Sequence, residues 1–266
     1  MDRSVRVRMV TQATGPARVE LAVAVARGPQ VVFESMDITF DGAPRAVAEV
    51  AADVGGRLHL LDVDRPGQLD IEYVASVQGR ALPAPATVLD AIVHLRPSRY
   101  CESDRLTAHA RAEFGGLGGA DLVQAVASWV HNNLQYVIGS SRPIDGAVST
   151  LLLRQGVCRD FAHLVIAILR ARDVPARLAA VYAPGLQPMD FHAVAEAYIG
   201  GAWRVVDATG LAPRQSMLRI ATGRDAADTA FLTTYGSTVD LVSLEVVAVV
   251  DGDLPYDEFG ISAELG

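Results

Sequence analysis

The stretch "RQGVCRDFAHLVIAILRARDVPAR", Arg154 to Arg177, places Cys158 directly after a glycine, at the head of a nearly continuous apolar run. A cysteine in the first turn of a helix meets unpaired backbone N–H groups and the positive end of the helix dipole, which favour a thiolate over a thiol. The same N–H groups offer one arm of an oxyanion hole for a tetrahedral acyl intermediate. A thiolate of this kind needs a histidine as acid and base, and that histidine needs a third group to orient it.

Geometry supplies both partners. In "HAVAEAYIGGAWRVVDAT" two alternating runs flank Gly200 and Gly201, whose freedom to take positive φ suits a two-residue type I′ hairpin. With those two residues as the turn, Tyr198 faces Trp203, Glu196 faces Val205 and Val194 faces Asp207. His192 then becomes the diagonal neighbour of Asp207 on one face of the sheet, within reach of a side-chain hydrogen bond. A longer turn or a bulge would change the parity. A lone cysteine is also commonly just a small buried hydrophobe, and spacing and periodicity alone leave the role of Cys158 open.

The other candidates are weaker. Cys101, in "RPSRYCESD", has no histidine arranged by spacing. His163 follows Cys158 by five positions, points to another helix face, and is expected to be a hydrogen-bonded core histidine. His59, His94, His109 and His131 have no spacing partner, and Gln155 reads as a structural loop residue. A zinc site on Cys158 and His192 would need two more ligands that the sequence does not place nearby, so neither metal nor cofactor is expected.

The elements that must hold these residues are legible in outline. From Val5 to about Ala75, "VRVRMV", "VELAVAVA", "QVVFESMDITF", "RLHLLDVD" and "LDIEYVASV" alternate between turn residues and predict antiparallel strands. Prolines at Pro83, Pro85 and Pro97 predict an irregular crossover. Helical spacing follows in "GADLVQAVASWVHNNLQYV", in "DGAVSTLLLRQG", closed by Gly156, and from about Cys158 to Arg172, where Asp173 and Pro175 end it. The last of these is apolar nearly all round, as a buried central helix must be. Strands return at "ARLAAVYA", in the hairpin and at "TVDLVSLEVVAVV". The order predicts an α+β fold, with a β-rich domain over 1–90 and a catalytic domain over 91–266.

Composition narrows the partners. The formal charge of -8 at pH 7 gives no basic field for phosphate backbones, so nucleic acid is not expected. No apolar run reaches bilayer length, and "MDRSVRVRMV" lacks the apolar core of a secretory signal, so a cytoplasmic location with no membrane partner is the expectation. Two cysteines are too few for a disulfide framework. All 23 basic residues are arginine, so the chain has no lysine amine with which to capture an acyl group on itself.

The segments "GVCRDFAHL" and "PAR", then "DFHAVAEAYIGGAWRVVDAT", resemble the bacterial transglutaminase-like family of candidate cysteine proteases, within the wider papain-like transglutaminase superfamily. "RPSRYCESDRL" and "RIATGRDAADTAF" are similar to further blocks of that family, so the resemblance runs from about Arg96 to Val250. It implies a papain-like core preceded by a β domain, with Cys158 as nucleophile, His192 as base and acid, and Asp207 as the orienting residue. Tyr136 falls where related enzymes place an aromatic donor to the oxyanion, although a core tyrosine is an equal reading. Arg224, Asp225 and Asp228 in "GRDAAD" either order the rim of the site or contact substrate, against an internal ion-pair network. The expected activity is hydrolysis of a peptide or protein amide through a thioester. The alternatives are transfer of the acyl group to an amine, by a transglutaminase or an amide synthase, and a catalytically silent peptide-binding module. Nothing in the sequence specifies the oligomeric state.

Overall fold

A computed structural model describes residues 1–82, 86–259 and 261–265; Pro83 and Pro85, two of the three crossover prolines, lie outside the described residues. Seven strands come first: β1 (Asp2–Ala13), β2 (Ala17–Leu21), β3 (Val31–Phe40), β4 (Ala43–Pro44), β5 (Ala48–Ala51), β6 (Arg57–Val63) and β7 (Gly67–Gln78). Alternate residues of β1 and β7 are buried, as strands with one face on a core require.

The expected strand "VELAVAVA" ends early, at Leu21, although Ala22–Ala26 are all buried. Their backbone groups are satisfied by other partners. Val25 N–H donates to the Tyr73 hydroxyl at 2.9 Å, Ala26 N–H to the Arg219 carbonyl at 2.7 Å, and the Tyr182 hydroxyl donates to the Val23 carbonyl. An apolar segment can leave a sheet and stay buried only when such partners exist.

The crossover is not wholly irregular. Thr87 caps a short helix, α1 (Val88–Val93), through a reciprocal capping box with Asp90. Next come α2 (Ser103–Phe114), α3 (Gly119–Asn133), β8 (Gln135–Tyr136), α4 (Ala147–Leu153), β9 (Gln155–Gly156) and α5 (Cys158–Ala171). The helical spacing of "GADLVQAVASWVHNNLQYV" therefore stops at Asn133, and Val137 lies beyond a two-residue strand. Helix α4 is closed by Arg154 in the left-handed region, φ 56°, rather than by Gly156. The chain ends in β10 (Ala176–Tyr182), β11 (Phe191–Ile199), β12 (Ala202–Val206), β13 (Leu218–Gly223), α6 (Ala226–Thr229), β14 (Leu232–Gly236) and β15 (Val239–Val250).

Among the described residues three larger sheets result. One is ordered β15-β1-β7-β3-β4 and a second β14-β2-β6-β5; they face each other across a shared core that includes Val7, Leu21 and Ile71. The third, β12-β11-β10-β13, carries α5 on one face, and α2 and α3 pack around that helix. The fold is α+β with antiparallel sheets. The sequence boundary expected near residue 90 separates strands from helices along the chain, while in space the late strands β14 and β15 complete the two sheets that β2 and β1 begin. Among the described residues no helix is long and apolar enough to cross a membrane.

Candidate active site

Cys158 is the first residue of α5 and is partly exposed. Asp160, two residues on, accepts the backbone N–H of Val157 at 2.9 Å, the reach-back half of a capping box. Its other oxygen accepts the Ser141 hydroxyl at 3.0 Å, and Arg159 donates to Ser141 and to the Arg142 carbonyl. The start of the helix is thereby fixed to the 137–146 loop. Gly156 permits this arrangement through close approach rather than through a turn. A Cβ there would lie 2.6 Å from the Asp160 Cβ.

Gly156 pairs in parallel with Tyr136, which brings the tyrosine to Cys158. The Tyr136 hydroxyl interacts with both the thiol and the backbone N–H of Cys158. Burial and the cysteine's charge push the phenol pKa up, so the hydroxyl stays protonated and able to donate.

The hairpin has the expected register: Gly200 and Gly201 take φ 59° and 80°, and Glu196 pairs with Val205 and Tyr198 with Trp203. His192 Nε2 meets Asp207 Oδ2 at 2.9 Å, with both side chains buried. The second Asp207 oxygen accepts the Thr209 backbone N–H at 2.9 Å and its hydroxyl at 2.7 Å. Burial works against charge on His192, but Asp207 and then Cys158 outweigh it and raise the imidazole to about 10. Burial likewise opposes the Asp207 charge, and His192 and Thr209 reverse it, leaving that carboxyl below its usual range. The His192 Nδ1 is held by no other residue, and Cys158 acts on the charge of the ring from that side.

Cys158, His192, Asp207 and Tyr136 are thus brought together, and Cys158 and His192 share one cleft of about 340 Å³. Arg224 and Asp225 are not drawn to the thiol. Arg224 pairs with Asp228 at 2.8 Å, and Asp225 caps α6 and accepts the Tyr100 N–H at 2.9 Å. Tyr100 in turn bonds the Pro143 carbonyl and stacks on His163, a buried histidine whose Nε2 accepts the Ala226 N–H. Cys101 is fully buried, and burial pushes its thiol pKa up.

Sequence reasoning missed Thr209, Asp160 and Arg170. Arg170, near the end of α5, donates to the Ala176, Arg96 and Arg224 carbonyls. The "DAT" and "CRD" triplets carried local signals for the first two, since Thr two residues after Asp and Asp at the third helical position are both capping patterns.

Residues 103–208, which span this constellation up to Asp207, match the transglutaminase-like superfamily. A crystal structure of a candidate cysteine protease from Cytophaga hutchinsonii is 33% identical, with a TM-score of 0.86, over 97% of this chain and 94% of that one. The chain belongs to the transglutaminase-like superfamily. Matches to two curated relatives are partial. An uncharacterized Mycobacterium leprae protein is 28% identical over 139 residues, 48% of this chain and 49% of the relative. An uncharacterized Mycobacterium tuberculosis protein is 39% identical over 70 residues, 26% of this chain and 21% of the relative. The chain therefore matches half or less of the length of these curated relatives.

Proposed function

We infer that the protein is a cysteine hydrolase that cleaves amide bonds in peptides or proteins. The observation that carries this reading is the His192 ring, held by Asp207 on one nitrogen and beside Cys158 at the other, with Cys158 and His192 opening on one cleft. The Cys158 sulfur attacks the carbonyl carbon, and the carbonyl oxygen takes up the charge facing the Cys158 N–H and the Tyr136 hydroxyl. His192 Nδ1 gives its proton to the departing amine as the C–N bond breaks, which leaves a thioester on Cys158. Water, losing a proton to the same nitrogen, then attacks the thioester, and the acid leaves as the thiolate–imidazolium pair re-forms.

The test is incubation with an activity-based electrophile and, separately, with a peptide library, both read by mass spectrometry. Label on Cys158 but not on Cys101, together with cleaved peptides that Cys158→Ala fails to produce, is the expected result. Label on Cys101, or cleavage that survives Cys158→Ala, would sink the assignment. An amine in place of water at the last step would give transfer, so products with and without an added amine separate the two outcomes.

A further inference from the structure

The cleft in front of Cys158, about 340 Å³ in volume, is large enough for more than the scissile peptide unit, since small-ligand pockets run from roughly 300 to 1,000 Å³. Its floor is strand surface at Ala180 and Ala193, where two small side chains leave space that larger ones would fill. One wall is aromatic: Phe191, the neighbour of His192, stacks on Phe231 with ring centroids 4.9 Å apart. The end is closed by Ala22 and Leu232, held together as the Ala22 N–H donates to the Phe231 carbonyl at 3.0 Å and β14 pairs with β2. The end wall therefore belongs to the β-sandwich, not to the sheet that carries His192.

Several polar groups of the lining are engaged within the protein, while Arg159 Nε and His192 Nδ1 are not. Arg159 donates to Ser141 and to the Arg142 carbonyl, the Thr229 hydroxyl donates to the Asp225 carbonyl, and Asp190 accepts the Phe191 N–H at 2.7 Å. A polar side chain entering this space would give up water for few partners, whereas an apolar one gains by leaving water.

We propose that the cleft is a specificity pocket for a large apolar side chain of the substrate, of the Phe, Leu or Met type, within two residues of the attacked bond, and that the β-sandwich sets its depth. The occupant is substrate because the cleft opens on Cys158 and His192, so whatever fills it lies against the reacting atoms. The proposal rests on the hydrolase reading above for its link to turnover, but not for the binding itself.

Two measurements test it. Cleaved bonds from a peptide mixture should be enriched in large apolar residues at one position near the cut. With peptides differing only at that position, Ala180→Phe should lower the Phe-over-Gly ratio of kcat/KM at least tenfold. Should Ala180→Phe not fold, Phe231→Ala, which widens the same space, should raise the Trp-over-Phe ratio. In parallel, fluorescence anisotropy on Cys158→Ala, where no cleavage intervenes, should give at least tenfold tighter binding of a Phe peptide than of its Gly counterpart. Cleavage with no apolar preference, or equal binding of the two peptides, would overturn the pocket and leave the hydrolase standing. Preferential binding without any turnover by the unmodified protein would do the reverse.

Discussion

The His192 imidazole, raised to about 10 by Asp207 and Cys158 against the effect of burial, should remain an acid through neutral pH. In the proposed mechanism its deprotonation removes the proton for the departing amine, so kcat/KM is expected to hold on the alkaline side and fall only as pH approaches about 10. Asp207→Asn removes an adjacent opposite charge, which should bring that limb down by roughly 1–3 pH units. A limb that stays in place in the variant would show that another group titrates. The stability linkage has a matching sign. The folded His192 value lies above the ordinary 6.5, so its contribution is whole below about pH 6.5 and is lost as pH rises through about 10. Asp207, held below 3.8, contributes above that value and loses its contribution as pH falls through its lowered folded value. Thr209 acts on the same carboxylate. Thr209→Val keeps the shape and deletes one charge-assisted hydrogen bond, worth about 1.5–3 kcal/mol, so kcat should drop about tenfold or more and recover in Thr209→Ser. No recovery in the serine variant would place the loss elsewhere.

Local elements reach Cys158 and His192 by two different routes, and the routes differed in how openly the sequence displayed them. The hairpin was readable to the residue because a two-glycine turn fixes parity, and parity alone puts His192 diagonal to Asp207. Gly200 has open space around it and a φ of 59°, so its requirement is conformational. Gly200→Asn should be nearly neutral in urea denaturation, while Gly200→Val should cost about 1–2 kcal/mol. Equal costs would mean that the turn type does not set hairpin stability. The start of α5 was less legible: Gly156 reads as a turn in sequence but serves instead to admit the Asp160 side chain. Gly156→Ala should therefore destabilise by about 1–3 kcal/mol and slow alkylation of Cys158, as overpacking displaces the first turn; a stable variant with an unchanged alkylation rate would argue against that role. Helix α2 and the Tyr136–Gly156 pairing gave no usable periodic signal. Each depends on partners more than ten residues away, which no local window contains.

At the scale of the whole molecule, the strands that close the β-sandwich are the last ones in the chain. Tyr182, Leu218 and Ile220, from the second half, lie in the same core as Val7 and Ile71. Residues 91–266 by themselves would leave β14 and β15 without β2 and β1, baring unpaired strand edges. That fragment is expected to aggregate, and the intact chain to unfold in one transition seen alike by far-UV dichroism and by Trp129 and Trp203 fluorescence. Two separated transitions would contradict this. The alternating strands announced a β-rich domain from sequence, but nothing local to 232–250 reveals which earlier strands it will join. The pairing of β15 with β1 has a consequence in time as well. Ribosomal synthesis delivers Cys158 more than seventy residues before Leu232, so the emerging chain carries its thiol before the far wall of the cleft exists. The first strand must wait, one edge open, until residue 250 has cleared the exit tunnel. The far wall of the cleft is thus completed long after the thiol is made, and the interval between is when a chaperone has an exposed edge to hold.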